Sequence, residues 1–487
     1  MERHLALVTT CLRKIDWAAV WDESSKSHRY ARDIDIAFAG GTITYVGPRY
    51  PGSPDRVIEG AGRFVMPGLV NVHAHPQVQP IFKGIIEELG NPRFYMSGMY
   101  DVKRVFRGTG EASLAAAAVG YGELLLSGVT TVADQSGNYP GWLDQFAASG
   151  LRGYAGRTYS SASWYTDNGH ELKYRWDETA GRRDFEDAVR LGEAAERHPC
   201  GRLSAMLAPD SLDTGSEELL RDSLAEAERR GWPFTVHCAE SVIEFNEFTR
   251  KTGLTPVQWA SSLGLLRPRT ILGHCIFVDS HSWLHWHTRN DIRLIAESNA
   301  CVAHCPNTFA RYGQALEDFG SYRRAGINMA LGTDTFPHNM LEEMRLAAIV
   351  ARLAAEDIAA VSTGDIFHAA TVGGADALGR RDIGRIAVGA KADLVVVDAT
   401  SIGMRPMRDP LRSLIYTAAD RAVSTVIIDG EIVVENGRVL TLDLDAAINT
   451  LEEAQRRAEA TVPERDYAGR GGTDISPLSL KSIEFDA

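Results

Sequence analysis

From Leu69 onward the chain alternates short apolar runs with longer helical stretches, and it does so eight times. The runs are "LVNVHAH", "GVTTVADQ", "RGYAGRTY", "RLSAMLAP", "PFTVHCAE", "TILGHCIFVD", "ACVAHCP" and "NMALGTD". Between them lie stretches with helical spacing, such as "EASLAAAAVGYGELLLSG", "DFEDAVRLGEAAERH" and "SEELLRDSLAEAERRG". A short apolar, β-branched run bounded by turn residues reads as a strand buried on both faces. Strands that alternate with helices pair in parallel, each helix serving as the crossover. Eight such units predict an α/β fold, a (β/α)8 TIM-type barrel over residues 67–383.

The two ends read differently. Residues 1–66 are β in character. "DIDIAFAGGTITYVGP" has two alternating runs around Gly40-Gly41, a hairpin signal, and "RVIEGAGRFVMPG" reads as one more strand with turn glycines. Over 384–444 the β character returns. "GRIAVGAKADLVVVD" and "VSTVIIDGEIVVENGRVL" read as strand-turn-strand units, the second with turns at Asp429-Gly430 and Asn436-Gly437. The economical arrangement is one small β-sandwich made from both termini and interrupted by the barrel. Residues 445–487 hold one amphipathic helix, "AAINTLEEAQRRAEAT", and a Gly-rich polar end expected to be poorly ordered or draped on a neighbour.

Composition narrows the function classes. Hydrophobic residues make up 44% and charged ones 24% of the 487, which suits a large globular protein. A net charge of -13 argues against a polyanion partner held by a diffuse field, so no nucleic acid is expected. There is no run of about 18 apolar residues to span a membrane, and "MERHLALVTTCLRK" has too short an apolar core for a signal peptide. Six cysteines in so long a chain do not make a disulfide framework, so a reduced, cytoplasmic protein is expected. The expected partners are a small-molecule substrate and further copies of the chain, in a homodimer or higher homo-oligomer.

Barrel active sites lie at the C-terminal ends of the strands. The first run ends in His73 and His75, two positions apart, so both imidazoles leave the strand on one face. The fifth ends in His237, with Glu240 three residues on; the sixth ends in His274; the seventh carries His304; the eighth ends in Asp334. Singly, each has an ordinary explanation. A lone His at a strand end is more often a hydrogen-bonded structural residue, and an Asp after Gly-Thr is often an N-cap. Together they are hard to assign to chance.

"VMPGLVNVHAH", "HCAE", "GHC", "HCPN", "ALGTDT" with "NMLEEMR", and "GRIAVGAKADLVVVD" resemble the amidohydrolase superfamily, most of all its cytosine-deaminase-like and triazine-hydrolase-like branch. The resemblance covers nearly the whole chain. It implies that His73, His75, His237 and Asp334 hold one divalent transition metal, Zn²⁺ first and Fe²⁺ second. It implies that Glu240 is the general acid/base and that His274 positions the water or the substrate. The residue types suit that chemistry. Three neutral imidazoles and a carboxylate hold such an ion with a position left for water, whose pKa falls toward ~7. A carboxyl can then carry the proton to a leaving nitrogen. "RLSAMLAPDSL" has no lysine to bridge a second metal, so one is expected.

Three departures bear on the substrate. Pro209-Asp210 stands where adenosine-type deaminases of the branch usually have Pro-His; the segment after His75 lacks their Trp-Leu signature; and "GTDTFPHNMLEEMR" is compressed. Gln77, Tyr95, Trp164, His304, His338 and Asn339 are candidate substrate contacts, among aromatic walls that include Phe94, Met96, Tyr159 and Tyr165. "DSHSWLHWHTRND" reads as an aromatic lid, a subunit contact or a solvated helix face, with His281 and His285 at helical spacing; Cys301 and Cys305 read as buried thiols. The expected function is metal-dependent hydrolysis of a non-peptide C–N bond in a small cyclic or aromatic substrate, of the deaminase or triazine-hydrolase type. Amide, urea or carbamate hydrolysis is the alternative. A non-catalytic scaffold on the same fold is the remote one, disfavoured because every expected ligand is present.

Overall fold

The computed structural model describes residues 8–108 and 110–483. All eight apolar runs form strands: β1 (Leu69–Ala74), β2 (Val129–Asp134), β3 (Arg152–Ala155), β4 (Leu203–Ala205), β5 (Phe234–Cys238), β6 (Thr270–His274), β7 (Cys301–His304) and β8 (Asn328–Leu331). They make two four-stranded parallel sheets, β4-β3-β2-β1 and β5-β6-β7-β8. The sheets touch at both edges. Ala74 at the end of β1 bridges Asp334 just past β8, and Leu207 and Ser211 after β4 bridge Phe234 and His237 of β5.

Side chains from seven of these strands, or from the residues just beyond them, meet in one cluster: Val70, Val72, Ala133, Tyr154, Met206, Ile271, Ala303 and Ala330. That is the inward face. Strict alternation would turn Ala74 inward as well, and His73 and His75 outward. Instead the β1/β2 register slips between Asn71 and Ala74. Ala74 joins the outer core under the helices, and the bulge swings both histidines to the inside.

The chain ends supply two further sheets. One has seven strands, in the order Arg438–Val439, Glu431–Glu435, Val423–Ile428, Leu394–Asp398, Arg63–Pro67, Trp17–Asp22, Ser27–Ala31; the other has four, Thr42–Gly47, Ile34–Ala39, Thr9–Ile15, Arg56–Glu59. They share a core of Leu12, Ile36, Phe38, Val65, Leu394, Val396 and Ile427. Leu394–Asp398 lies between Arg63–Pro67 and Val423–Ile428, so N- and C-terminal residues interleave in one sheet. The hairpin around Gly40-Gly41 and the turns at Asp429-Gly430 and Asn436-Gly437 form as expected, the latter four residues all at positive φ. Two expectations need correction. "RVIEGAGRFVMPG" is two strands, one in each sheet, because Gly60 and Gly62 turn the chain across the gap. "GRIAV" is not a strand: it runs along the sheet ends, where Ile386 O and Ala390 O accept from Trp21 N (3.0 Å) and Ile43 N (2.8 Å).

Arg152, at the start of β3, ties the parallel sheets to the seven-stranded one. Its guanidinium donates to both oxygens of buried Asp393 (2.9 and 3.1 Å) and to half-buried Asp429 (3.1 Å). The tail, expected to be loose or draped on a neighbour, folds back on its own chain. Helix Leu444–Ala460 packs on helix Gly110–Leu126 through Ala447, Leu451 and Ala454. Among the described residues, no helix is long and apolar enough to cross a membrane.

Candidate active site

At the C-terminal ends of the parallel strands five groups converge. His73 and His75 come from the bulged end of β1 and His237 from β5, inward by regular alternation. His274 ends β6 at a position alternation would turn outward, since Ile271 faces inward. It is held at φ 80°, with Cys275 at φ 46°, and this left-handed turn aims the ring into the site. Asp334 follows β8 at φ 54°, pinned by Asp334 N to His73 O (2.8 Å) and by His75 N to Asp334 O (3.0 Å). Glycines at 273 and 332 leave room for the His73 side chain: a Cβ at either would lie within 3.1 Å of it.

His73, His237, His274 and Asp334 each offer one donor atom, all within 4.8 Å of one another. His75 Nε2 lies 3.4 Å and His73 Nε2 3.7 Å from Asp334 Oδ1. The outer nitrogens of the first three histidines are held from behind. His75 Nδ1 donates to Gln135 O (2.6 Å), and His237 Nδ1 donates to Asp210 O. The Gln135 side-chain Nε2 sits 2.7 Å from His73 Nδ1; with the amide turned over, its oxygen would accept Nδ1–H. Each such bond leaves Nε2 bare and aimed at the centre, as a metal requires. Burial drives the pKa of His73, His75 and His274 down, the last to about 3, which keeps them neutral. At His237 burial pulls the same way, but Glu240 and Asp210 outweigh it and raise the pKa. At Asp334 burial pushes up, and His274, His75 and Lys103 pull the net below the usual carboxylate value.

The fit to a metal has its own sign. His73 Nε2 and both ring nitrogens of His274 are fully buried with no partner among the described residues. Such orphans are rare and cost free energy unless something satisfies them. A divalent cation between three imidazoles and a carboxylate does so for those that face it.

Glu240 is set by its own helix start. Glu244 accepts from Glu240 N (2.7 Å) and Ala239 N (3.0 Å), and Ser241 caps helix Val242–Thr252. Burial raises the Glu240 pKa, Asp334 and Asp210 add to it, and His237 and Lys103 oppose; the net is about 7. A cavity of about 450 Å³ opens above these groups, with His75, His237, Glu240 and Asp334 on its floor.

The candidate substrate contacts divide. Gln77 and Trp164 line the cavity, each already engaged: Gln77 bridges Ser113 Oγ (2.8 Å) and Gly137 N (3.1 Å), and Trp164 Nε1 donates to Asp213 (2.9 Å). The other four do not line it. Tyr95 lies nearly half exposed beside Asn246 (3.4 Å). His304 sits on the outward face of β7 against Phe319. His338 is fully buried behind Asp334, with Nδ1 2.9 Å from Thr333 Oγ1. Asn339 caps helix Met340–Ala355, accepting from Leu341 N and Glu342 N. The segment "DSHSWLHWHTRND" is not helical and lies off the cavity; His281 packs on Phe277, so no metal pair forms with His285. All six cysteines are free, with Cys301 and Cys305 buried. Sequence reasoning missed Gln135 and three cations on the cavity wall, Lys103, Arg104 and Arg107. Gln135 ends the second run and was open to the strand-end rule; the cations lie in a loop without periodicity.

Residues 64–433 match the model of the Amidohydrolase family. The chain is 31% identical over 426 residues to a 5-methylthioadenosine/S-adenosylhomocysteine deaminase of Natronomonas pharaonis, covering 87% of this chain and 92% of that one. It is 29% identical to a 5'-deoxyadenosine deaminase of Methanothermobacter thermautotrophicus, covering 83% and 90%. Among solved structures, a zinc-bound adenosine deaminase from Xanthomonas campestris superposes with a TM-score of 0.78 at 25% identity, covering 93% of this chain and 98% of that one. An atrazine chlorohydrolase from Arthrobacter aurescens TC1 does so with a TM-score of 0.77 at 23%, covering 92% and 100%, a likeness of fold. A parallel α/β scaffold with histidines and a carboxylate at its strand ends defines the class. The chain belongs to the amidohydrolase family.

Proposed function

We propose that this protein is a metal-dependent hydrolase that cleaves a non-peptide C–N bond of a small cyclic substrate, with hydrolytic deamination as its first form. The observation that carries this reading is Glu240. It is a carboxyl with a pKa near neutrality, on one cavity floor with His75, His237 and Asp334. The two parallel sheets are read as one (β/α)8 barrel over 67–383, and the terminal sheets as one sandwich over 1–66 and 384–444, with 445–487 as a brace. The metal ligands are His73, His75, His237 and Asp334, with zinc as the first metal in line with the zinc-bound Xanthomonas relative. The outer-nitrogen bonds of the three histidines support that choice over a set that includes His274, which has none. The six free thiols support a reducing, cytoplasmic setting.

When bound, the metal supplies a nucleophile at neutral pH by lowering the pKa of water. The rest falls to side chains. Glu240, with its carboxyl raised to about 7, accepts the water proton and returns it to the leaving nitrogen. Asp334, held anionic, accepts a hydrogen bond from the attacking water. His274, neutral, donates its ring N–H to the developing oxyanion. Trp164 and Phe82 on the wall limit bulk water and flank a planar ring.

The test is elemental analysis of the purified protein together with a screen of heteroaromatic amines, triazines, ureas and carbamates. One metal per chain and ammonia or halide release support the reading. Release of an amine with a carboxylate or CO₂ would move it to amide, urea or carbamate hydrolysis. A metal-replete protein inert across the panel would favour the scaffold reading.

A further inference from the structure

The long loop after β1 carries a short helix, Val102–Val105, whose Lys103 and Arg104, with Arg107 just beyond, face the cavity above the catalytic floor. None of the three has a carboxylate within 4.0 Å among the described residues, although other part-buried arginines, such as Arg157 and Arg230, are paired. Lys103 and Arg104 are half-buried rather than waving in solvent. Burial, with Arg107 and Arg175 nearby, lowers the Arg104 pKa to about 10, Asp210 opposing. Stability does not explain Lys103 and Arg104, since unpaired cations that are partly desolvated cost free energy; Arg107 beside them is exposed. The floor does not need three of them either, since only Lys103 bears on Glu240 and Asp334.

The loop is also held stiffly. Asp101 caps the short helix, and Asn91 Nδ2 donates to Asp101 (2.6 Å). From the tail, Arg465 donates to Val105 O (3.4 Å) and Arg107 O (2.5 Å), and Gln455 to Ile81 O (2.6 Å) and Lys83 O (2.9 Å). A braced set of cations facing into a reaction cavity, in a protein of net charge -13, is a receptor for negative charge.

We propose that the substrate carries an anionic arm, a carboxylate or a phosphate, which seats on Lys103, Arg104 and Arg107 while its ring lies over Glu240 and Asp334. This deepens the hydrolase reading and rests on it for the ring's position. Arg104 and Arg107 present planar donor forks suited to two oxygens at once, and Lys103 adds a point charge nearer the floor. Asp210, which also lines the cavity, repels such an arm and favours its seating on the cations.

The test uses the metal-loaded full chain and matched probe sets. One set is adenosine, its 5′-carboxylate and its 5′-monophosphate; the other is melamine with its N-carboxymethyl and N-phosphonomethyl derivatives. Calorimetry gives Kd and turnover gives kcat and KM. In at least one set an anionic member should bind about tenfold or more tighter than the neutral one, with the advantage shrinking as salt rises. Which anionic member wins separates carboxylate from phosphate. The anionic-to-neutral ratio should collapse in Lys103→Gln/Arg104→Gln and largely survive in Arg104→Lys, with metal content retained in all. No preference in either set, or a preference that survives the double substitution, overturns the proposal. Tight anionic binding without turnover of any member keeps the anion seat and overturns the hydrolase reading. Turnover of neutral members without anionic preference does the reverse.

Discussion

His274 reaches the site only because the backbone turns left-handed after Gly273, and this raises the question of what it does there. Five donors surround a place where a mononuclear ion takes four protein ligands at most with water retained. The bonds behind His75 and His237 orient those rings as ligands; His274 has no such bond. We therefore expect His75→Ala and His237→Ala to lose bound metal by elemental analysis. His274→Asn should keep it while kcat falls by about 10²–10³-fold, the range for losing one hydrogen-bonding group at the oxyanion. Metal loss in His274→Asn, with metal retained in His75→Ala, would exchange the two roles. Glu240 carries the pH dependence. Its carboxyl is raised to about 7, so its basic form is gained as pH rises through that value and lost below it. A bound cation favours the carboxylate, so the acid limb of kcat/KM should lie at or below about pH 7. Glu240→Gln should keep metal, lose about 10²–10⁴-fold in kcat and lose that limb. A variant still following the same limb would assign it to another group.

At the scale of elements, the eight strands were legible because each is an apolar run buried on both faces, and the candidate site groups because they stand at the ends of those runs. His304 shows where that rule needs period two added: Cys301 and Ala303 face inward, so His304 faces out, and the sequence could have excluded it. The same rule would have lost His73, His75 and His274, which depend on a bulge and a left-handed turn with no sequence mark. His338 and Asn339 looked available because polarity after a strand signals a site, yet one fills space behind Asp334 and the other caps a helix. The cation-bearing loop was illegible for a different reason. It has little regular structure of its own, and its shape is imposed by the tail some 350 positions away, as in Arg465 to Arg107. That dependence predicts the phenotype of a shortened chain. Ending the protein after Leu442 removes helix Leu444–Ala460 and exposes Ala115, Ala118 and Val119 beneath it. The metal site stands on other elements. Metal content should hold while KM rises about tenfold or more and the loop becomes the first site of protease cleavage. An unchanged KM would show that the loop holds its own shape.

For the whole molecule, the question is whether the terminal sheets are an appendage or part of the same folding unit. Two features favour one unit. Leu394–Asp398 is the strand that joins the N-terminal Arg63–Pro67 to the C-terminal Val423–Ile428, so neither end has a complete sheet alone. Among the described residues, the carboxylates within 4.0 Å of Arg152 of the parallel sheets are Asp393 and Asp429 of the terminal part. Ending the chain after Gly384 would leave Arg63–Pro67 with an open edge and Val65 without Leu394 and Val396. It would also leave a buried guanidinium without either carboxylate. An unpaired edge templates aggregation, and breaking a buried pair by removing one side costs about 3–5 kcal/mol. Both penalties fall on a fold whose net stability is only about 5–15 kcal/mol. The truncated chain should therefore appear in the insoluble fraction. Arg152→Ala in the full chain, which leaves Asp393 buried and uncompensated, should stay soluble but unfold at a lower denaturant midpoint, with the parallel and terminal parts lost in one transition. A soluble, metal-loaded truncation, or two separate transitions in Arg152→Ala, would mean that the ends and the parallel sheets fold independently.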